Sequence, residues 1–210
     1  MKDLVLLVAD KDMEHAVKGL LGRPEALGLC SGIVWDLFVH SGRDPGCLNR
    51  AHEFLRPLSA LYHHAMVMFD RLGCGREKAG CEELAGMVMD RLSRNGWDDR
   101  AHVVVIDPEL EVWAWSRSPH VAACLGWEGQ THALRSWLQE VGLWPAEQTK
   151  PPRPKEAMLA ALRERRRPYS SSIYLELASR VSLQGHSETA FLQFVGALRA
   201  WFPSEQSPVS

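Results

Sequence analysis

The length, composition and charge of the chain exclude several classes of protein. It has 210 residues, of which 46% are hydrophobic, so it can bury a sizeable core. Its formal net charge of −2 argues against an overall field that attracts nucleic acid or an anionic membrane. The five cysteines are odd in number and include no Cys-x-x-Cys pair, which argues against a disulfide framework or a zinc ribbon.

The sequence also shows no pattern typical of a targeting signal or a membrane-spanning segment. The chain passes almost directly from its first residue into a strand-like run, without the features of a signal peptide. No apolar stretch approaches the roughly 20 residues that a membrane-spanning helix needs. We therefore expect a cytoplasmic protein in a reducing compartment, with no membrane partner.

The first half of the chain alternates between two kinds of hydrophobic pattern. Continuous apolar runs predict buried strands at 4–8, 33–39, 65–69 and 103–106. Helical spacing between them predicts helices at 12–21, 48–61 and 77–95. Strands that alternate with helices in this way favour an α/β fold with a parallel or mixed sheet and helices on both faces.

The second half of the chain is predicted to be helical. Helical periodicity covers residues 119–125, 131–141, 155–166, 172–183 and 188–201, and the Pro-rich segment 145–154 is the best candidate for a linker. The expected organisation is an α/β core at 1–116, a helical C-terminal region at 117–203 and a flexible tail at 204–210.

Acidic residues follow three of the four predicted strands. The first strand leads to Asp10, the third to Asp70 and the fourth to Glu111. Ligands of open α/β sheets bind at the carboxyl ends of the strands, and one or two carboxylates with waters are enough to hold Mg²⁺. The same acids also suit helix caps and the first turns of helices, so a purely structural role stays open.

The motifs around these acids resemble those of Toprim-like proteins. The segment 4–14 resembles their first motif, 66–73 their second, and 106–113 a Pro-x-x-Glu-x-Trp segment of small bacterial members. Stretches near residues 154–157 and 190–194 are similar to the same group. The resemblance covers most of the chain, and the order of the motifs is a stronger signal than any single motif. More narrowly, the chain is similar to a component of bacterial methylation-associated anti-phage defence systems.

The resemblance implies a Toprim-like fold and a set of roles. In Toprim enzymes the first motif supplies a Glu as general acid/base, and an Asp-x-Asp pair holds Mg²⁺. Here Ala9 stands at the position of that Glu, with Asp10 one residue later, and Leu72 replaces the second Asp of the pair. The resemblance therefore implies Asp70 and Glu111 as catalytic and metal-binding residues, with Asp10 as a displaced third member.

Basic residues form the expected contacts with nucleic acid or partner proteins. These residues are Arg71, Arg76, Arg163, Arg165, Arg166 and Arg167. The Gly-containing loop at 73–76 lacks the ending of a P-loop, but its backbone N–H groups could approach a phosphate.

Two functions remain open at this stage. In the first, the chain is an adaptor or sensor subunit of a larger anti-phage assembly, and its Toprim-like site is degenerate. In the second, it is a Mg²⁺-dependent nuclease or another phosphoryl-transfer enzyme that acts on nucleic acid. The substitutions at Ala9 and Leu72 favour the adaptor, because they leave the proton-transfer role unfilled.

Overall fold

A four-stranded parallel sheet forms the centre of the protein. The computed structural model describes residues 1–116, 118–183 and 187–204. The strands are β1 Lys2–Val8, β2 Trp35–Val39, β3 Tyr62–Asp70 and β4 Ala101–Ile106, in the order β2-β1-β3-β4. The predicted α/β class and all four predicted strands are confirmed, and every strand pair is parallel.

The two central strands are apolar because both of their faces are covered. The side chains from Leu4 to Val8 in β1 are fully buried, as are those from Ala65 to Phe69 in β3. Leu6 of β1 lies between Leu37 of β2 and Met66 of β3. A strand buried on both faces cannot alternate between apolar and polar residues, which explains the continuous runs in the sequence.

Ten α-helices surround the sheet in the described part of the chain. They are α1 Lys11–Leu21, α2 Pro24–Leu27, α3 Arg43–Leu55, α4 Cys81–Leu92, α5 Glu111–Ala114, α6 Pro119–Cys124, α7 Thr131–Glu140, α8 Pro154–Glu164, α9 Ser172–Arg180 and α10 Thr189–Trp201. The predicted helix at 48–61 begins earlier and ends at Leu55, since Pro57 lies in a separate 3₁₀ turn. The predicted helix at 77–95 begins only at Cys81, because residues 71–80 form a loop.

The helices lie on both faces of the sheet. The chain winds from β1 to β2 in one direction and from β2 through β3 to β4 in the other. Because crossovers between parallel strands are right-handed, this reversal places α1 on one face and α3 and α4 on the other. In the C-terminal region α9 packs along α1, and α10 packs against β4.

The described residues after 116 form helices and turns but no strand of the sheet. The proposed boundary at residue 116 stays a prediction, and residues 205–210 of the expected tail lie outside the described residues. Within the described part of the chain, no helix is both long and apolar enough to cross a membrane.

The contact between α1 and α9 depends on a glycine. A Cβ atom at Gly19 would lie 2.7 Å from Cβ of Ala178 and 2.8 Å from the carbonyl oxygen of Leu175. Both distances are too short, so any larger residue must push α9 away from α1. The absence of a side chain at Gly19 thus lets the two helices approach closely.

We expect Gly19→Ala to lower the free energy of unfolding by about 1–2 kcal/mol, because overpacking outweighs the better helix propensity of alanine. Gly86 of α4 is the matched control, since nothing lies within 4 Å of a Cβ atom built there. Gly86→Ala is expected to stabilise by about 0.5–1 kcal/mol. Urea unfolding measures both, and stabilisation by both substitutions would contradict the close contact.

Candidate acidic site at the carboxyl edge of the sheet

The carboxyl ends of the parallel strands meet at one edge of the sheet. The winding direction reverses between β1 and β3, which are hydrogen-bonded neighbours. Asp10 follows β1 and Asp70 is the last residue of β3, so these acids flank the reversal. Open α/β sheets bind ligands at this position.

Asp10 and the nearby Asp12 make local and long-range structural contacts. Asp10 is the N-cap of α1, and its Oδ1 accepts a hydrogen bond from the backbone N–H of Met13 at 3.0 Å. The capping interpretation is therefore correct for this oxygen. Asp12 accepts hydrogen bonds from the hydroxyl of Tyr169 and from Oγ of Ser171, the latter at 2.5 Å. Asp12 thus ties α1 to the segment that leads into α9.

Asp70 is a buried acid with an unsatisfied oxygen. Its exposure is only 8%, and its Oδ1 has no hydrogen-bond partner. Burial raises the pKa of Asp70 well above its usual range, and the charges of Asp44, Glu111 and Asp10 raise it further. The backbone N–H of Leu110 opposes this shift. The acids from four segments are therefore close enough to act on one another electrostatically.

Glu111 is the most deeply buried acid of the chain's described part, with 1% exposure at the start of α5. Its Oε1 accepts a hydrogen bond from the hydroxyl of Tyr174 at 2.5 Å and lies 3.1 Å from Nζ of Lys155. Its Oε2 has no hydrogen-bond partner. Burial lowers the pKa of Lys155, but the charge and hydrogen bond of Glu111 outweigh burial and raise it overall.

The backbone around Lys155 is held by a second acid. Oε1 of Glu109 accepts a hydrogen bond from the backbone N–H of Lys155 at 3.0 Å. Burial raises the pKa of Glu109, and the charge of Glu111 adds to this effect, whereas Lys155 opposes it. Lys155, in the first turn of α8, is therefore held in two ways. Its backbone is bound to Glu109, between β4 and α5, and its side chain pairs with Glu111 at the start of α5.

Three residues of this site are absent from the sequence-based prediction. Asp44, at the start of α3, accepts a hydrogen bond from the backbone N–H of Asp70 at 2.8 Å. Burial raises the pKa of Asp44, as does the charge of Asp10, while Lys155 lowers it. Asp44 follows the predicted strand 33–39 and is not part of a predicted element, whereas Lys155 and Tyr174 lie on predicted helices with no sign of their contact to Glu111.

The described residues do not supply three metal ligands in one place. No group of three or more His, Cys, Asp or Glu side chains among them is arranged to hold a metal ion. Asp70 and Glu111 each present one buried oxygen without a partner, and two carboxylates are sufficient for Mg²⁺ when waters complete the shell. These two residues fit the chemistry of Mg²⁺, whereas one oxygen of Asp10 is already used by the cap.

The two positions that depart from the Toprim pattern differ in environment. Ala9 is fully buried, so the position expected for a general acid/base holds a packed methyl group. Leu72 is 54% exposed in the loop after β3. Asp107 at the end of β4 forms an ion pair with Arg71 at 2.8 Å.

The six predicted basic contact residues differ in the contacts that they make within the protein. Arg165 stacks over the ring of Trp127 at 3.8 Å, and Arg167 forms an ion pair with Glu176 at 3.1 Å. Arg76, Arg163 and Arg166 are exposed, as is Arg165, and Arg163 also donates to the carbonyl oxygen of Leu159 at 3.2 Å. Arg71 is half-buried and donates to the carbonyl oxygen of Glu77 as well as pairing with Asp107. Contact with nucleic acid or a partner stays a prediction for all six.

Comparison with known proteins adds no relative: no protein-family model, no curated protein and no solved structure matches the chain.

Removal of the ammonium group of Lys155 is expected to destabilise the protein. Lys155→Met leaves Glu111 buried without a counter-charge, and we expect the free energy of unfolding to fall by about 1–3 kcal/mol, less than for a fully buried pair because the Lys155 side chain is 39% exposed. In a Glu111→Gln background the same substitution should cost less. Lys11→Met is the control, because Glu14 still forms an ion pair with Lys18 at 2.7 Å when Lys11 is replaced. Simple additivity of the two substitutions in urea unfolding would contradict the contact.

The burial of Asp70 predicts a pH dependence of stability. Above its ordinary pKa of 3.8 the carboxyl ionises in the unfolded chain but stays protonated in the folded one. The folded state then holds more protons, so this group destabilises the protein as pH rises, by about 1.4 kcal/mol per pH unit until the folded pKa is reached.

Asp70→Asn removes this effect, so its stability should rise relative to wild type as pH increases from 3.8 toward the raised pKa of the folded carboxyl. Urea unfolding across that range provides the measurement. Asp90→Asn, on the exposed surface of α4, should follow the wild-type profile within about 0.5 kcal/mol. Parallel profiles for wild type and Asp70→Asn would show that burial does not shift Asp70.

Proposed function

We propose that this protein is a Toprim-like component of a bacterial anti-phage defence system that acts as an adaptor or sensor subunit in a larger assembly. The contact among Glu111, Lys155 and Tyr174 is the observation that carries this proposal. The carboxylate that the resemblance assigns to metal binding is neutralised by an ammonium group of the same chain. An active metal enzyme needs that carboxylate to face its metal and substrate.

The positions that depart from the Toprim pattern support the same function. The buried methyl group of Ala9 cannot transfer a proton, and Asp10 has one carboxylate oxygen in a helix cap. About 1 Å of displacement can cost a catalytic group on the order of a hundredfold in rate. The site therefore keeps buried charge but lacks a positioned general acid/base.

A sensor role is supported by how the acids connect distant parts of the chain. Asp12 binds Tyr169 and Ser171, and Glu111 binds residues of α8 and α9. A ligand that competes for these acids would change how the C-terminal helices pack on the sheet. Other proteins of the defence system would then detect the change through those helices.

A Mg²⁺-dependent nuclease is the second candidate, and the unpaired oxygens of Asp70 and Glu111 favour it. In this function the carboxylates of Asp70 and Glu111 would hold the metal, and waters would complete its coordination shell. When bound, Mg²⁺ would stabilise the charge that develops on a phosphoryl group. The arginines at 71 and 76 lie on the loop that follows Asp70 and would contact the nucleic acid.

The two functions are separated by co-expression and a cleavage assay. The chain is co-expressed with the proteins encoded beside it, and the purified assembly and the isolated chain are incubated with DNA or RNA and Mg²⁺ or Mn²⁺. The adaptor function predicts stable co-purification and no cleavage by the isolated chain that depends on Asp70. A chain that purifies alone as a monomer would contradict it.

The matched pair for the cleavage assay is Asp70→Ala and Asp107→Ala. Both remove an acid at the carboxyl edge, but Asp107 is half-exposed and pairs with Arg71. Nuclease function predicts that Asp70→Ala abolishes metal-dependent cleavage and that Asp107→Ala retains it. Equal residual activity in wild type and Asp70→Ala would assign the cleavage to a contaminant.

A further inference from the structure

The loop between β3 and α4 directs several backbone N–H groups to one point. Gly73 and Gly75 have φ angles of 92° and 86°, a region that other L-residues rarely adopt. Nothing lies within 4 Å of a Cβ atom built at either glycine, so crowding does not explain them. Their conformation instead orients their amides toward the same side of the loop.

These amides already hold an anion. The N–H groups of Gly73 and Gly75 both donate to Oε1 of Glu77, at 3.2 and 3.0 Å. The backbone N–H of Glu77 itself lowers the pKa of this carboxyl, and those of Gly75 and Gly73 contribute to the shift. Two amides thus converge on one carboxylate oxygen, an arrangement known from loops that bind phosphate.

The loop is anchored independently of Glu77. The backbone N–H groups of Arg71 and Leu72 donate to the carbonyl oxygens of Ile106 and Pro108, at 2.8 and 3.0 Å. Cys74 is buried, and its Sγ accepts a hydrogen bond from the backbone N–H of Arg76 at 3.4 Å. The amides therefore stay near their positions when the carboxylate leaves.

The amides lie beside solvent and beside both basic and acidic side chains. An open groove beside them is lined by Gly75, Arg76, Glu77, Lys78, Ala79 and Glu83. Arg76 makes only a long contact of 3.7 Å to Sδ of Met87, so its guanidinium can turn toward a ligand. Glu77 is exposed, and a free anion can reach the amides from solvent.

We propose that the amides of Gly73 and Gly75, with Arg76 and Lys78, form a phosphate-binding site that the Glu77 carboxylate occupies in the free protein. A phosphate group offers several acceptor oxygens and more charge than a carboxylate, which suits converging amides and two flanking cations. The tethered carboxylate competes with it and keeps the affinity of the wild-type protein low. The site is separate from the acid cluster and does not depend on catalysis there.

Removal of the competing carboxylate tests the proposal. ¹⁵N–¹H spectra of wild type, Glu77→Ala and Glu82→Ala are recorded during titration with sodium phosphate, against sodium chloride at matched ionic strength. In Glu77→Ala the amide signals of Gly73 and Gly75 should shift and saturate at a phosphate concentration at least about tenfold lower than in wild type. Glu82 is the control because it is also an exposed acid, on α4, and Glu82→Ala should titrate like wild type.

A second variant separates the effect of the Glu77 charge from a loss of the loop conformation. Glu77→Gln keeps an oxygen on the amides but removes the charge, and its phosphate response should lie between those of wild type and Glu77→Ala. If the amides of Gly73 and Gly75 respond to phosphate no more in either variant than in wild type, or respond equally to chloride, the proposal is wrong.

The source of the phosphate group is distinguished with a second ligand. A short single-stranded oligonucleotide without terminal phosphates presents only diester groups. If it shifts the same two amides, the site takes the backbone of a nucleic acid. If only inorganic phosphate shifts them, the site takes a free or terminal phosphate group, and either result supports the shared chemistry.

Discussion

The burial of Glu111 is the constraint on which the arrangement of the carboxyl edge depends. An ionised carboxylate with 1% exposure is unfavourable unless it is paired and hydrogen-bonded. Its partners, Lys155 and Tyr174, come from α8 and α9, which lie far along the chain. The sheet edge and the C-terminal helices therefore stabilise each other, and neither can form its native electrostatic environment alone.

One ammonium group does not neutralise all the acids around it. Burial raises the pKa of Asp44, Asp70 and Glu109, so the folded protein favours their protonated forms. Protonation lowers the repulsion among acids that the converging strands bring to one edge. Of these three acids, only Asp70 lies within a strand, as the last residue of β3, whereas Asp44 lies in the first turn of α3 and Glu109 between β4 and α5. Such an edge favours any ligand that brings positive charge.

Local sequence patterns predicted the strands of the sheet, but they did not predict the contacts between residues that are distant in the sequence. The strands were predictable because a central parallel strand must be apolar on both faces. The predicted start of α4 at residue 77 was wrong. The side chain of Glu77 binds the loop amides, and Glu77 belongs to the loop and not to the helix. Nothing local marks Tyr174 as the partner of Glu111, 63 residues earlier. Those partners meet because α9 packs both on α1 and against α5.

The carboxyl edge thus combines two opposite kinds of site. Asp70 ends β3 with a carboxyl that is protonated more readily than usual, and the loop that follows directs amides toward an anion three to seven residues later. A cation that binds Asp70 must displace its proton, so such binding strengthens as pH rises. An anion at the loop has no proton to displace from Asp70 and competes only with Glu77. Because Arg71 and Leu72 fasten the start of the loop to the end of β4, occupation of either site acts on the same short segment of backbone.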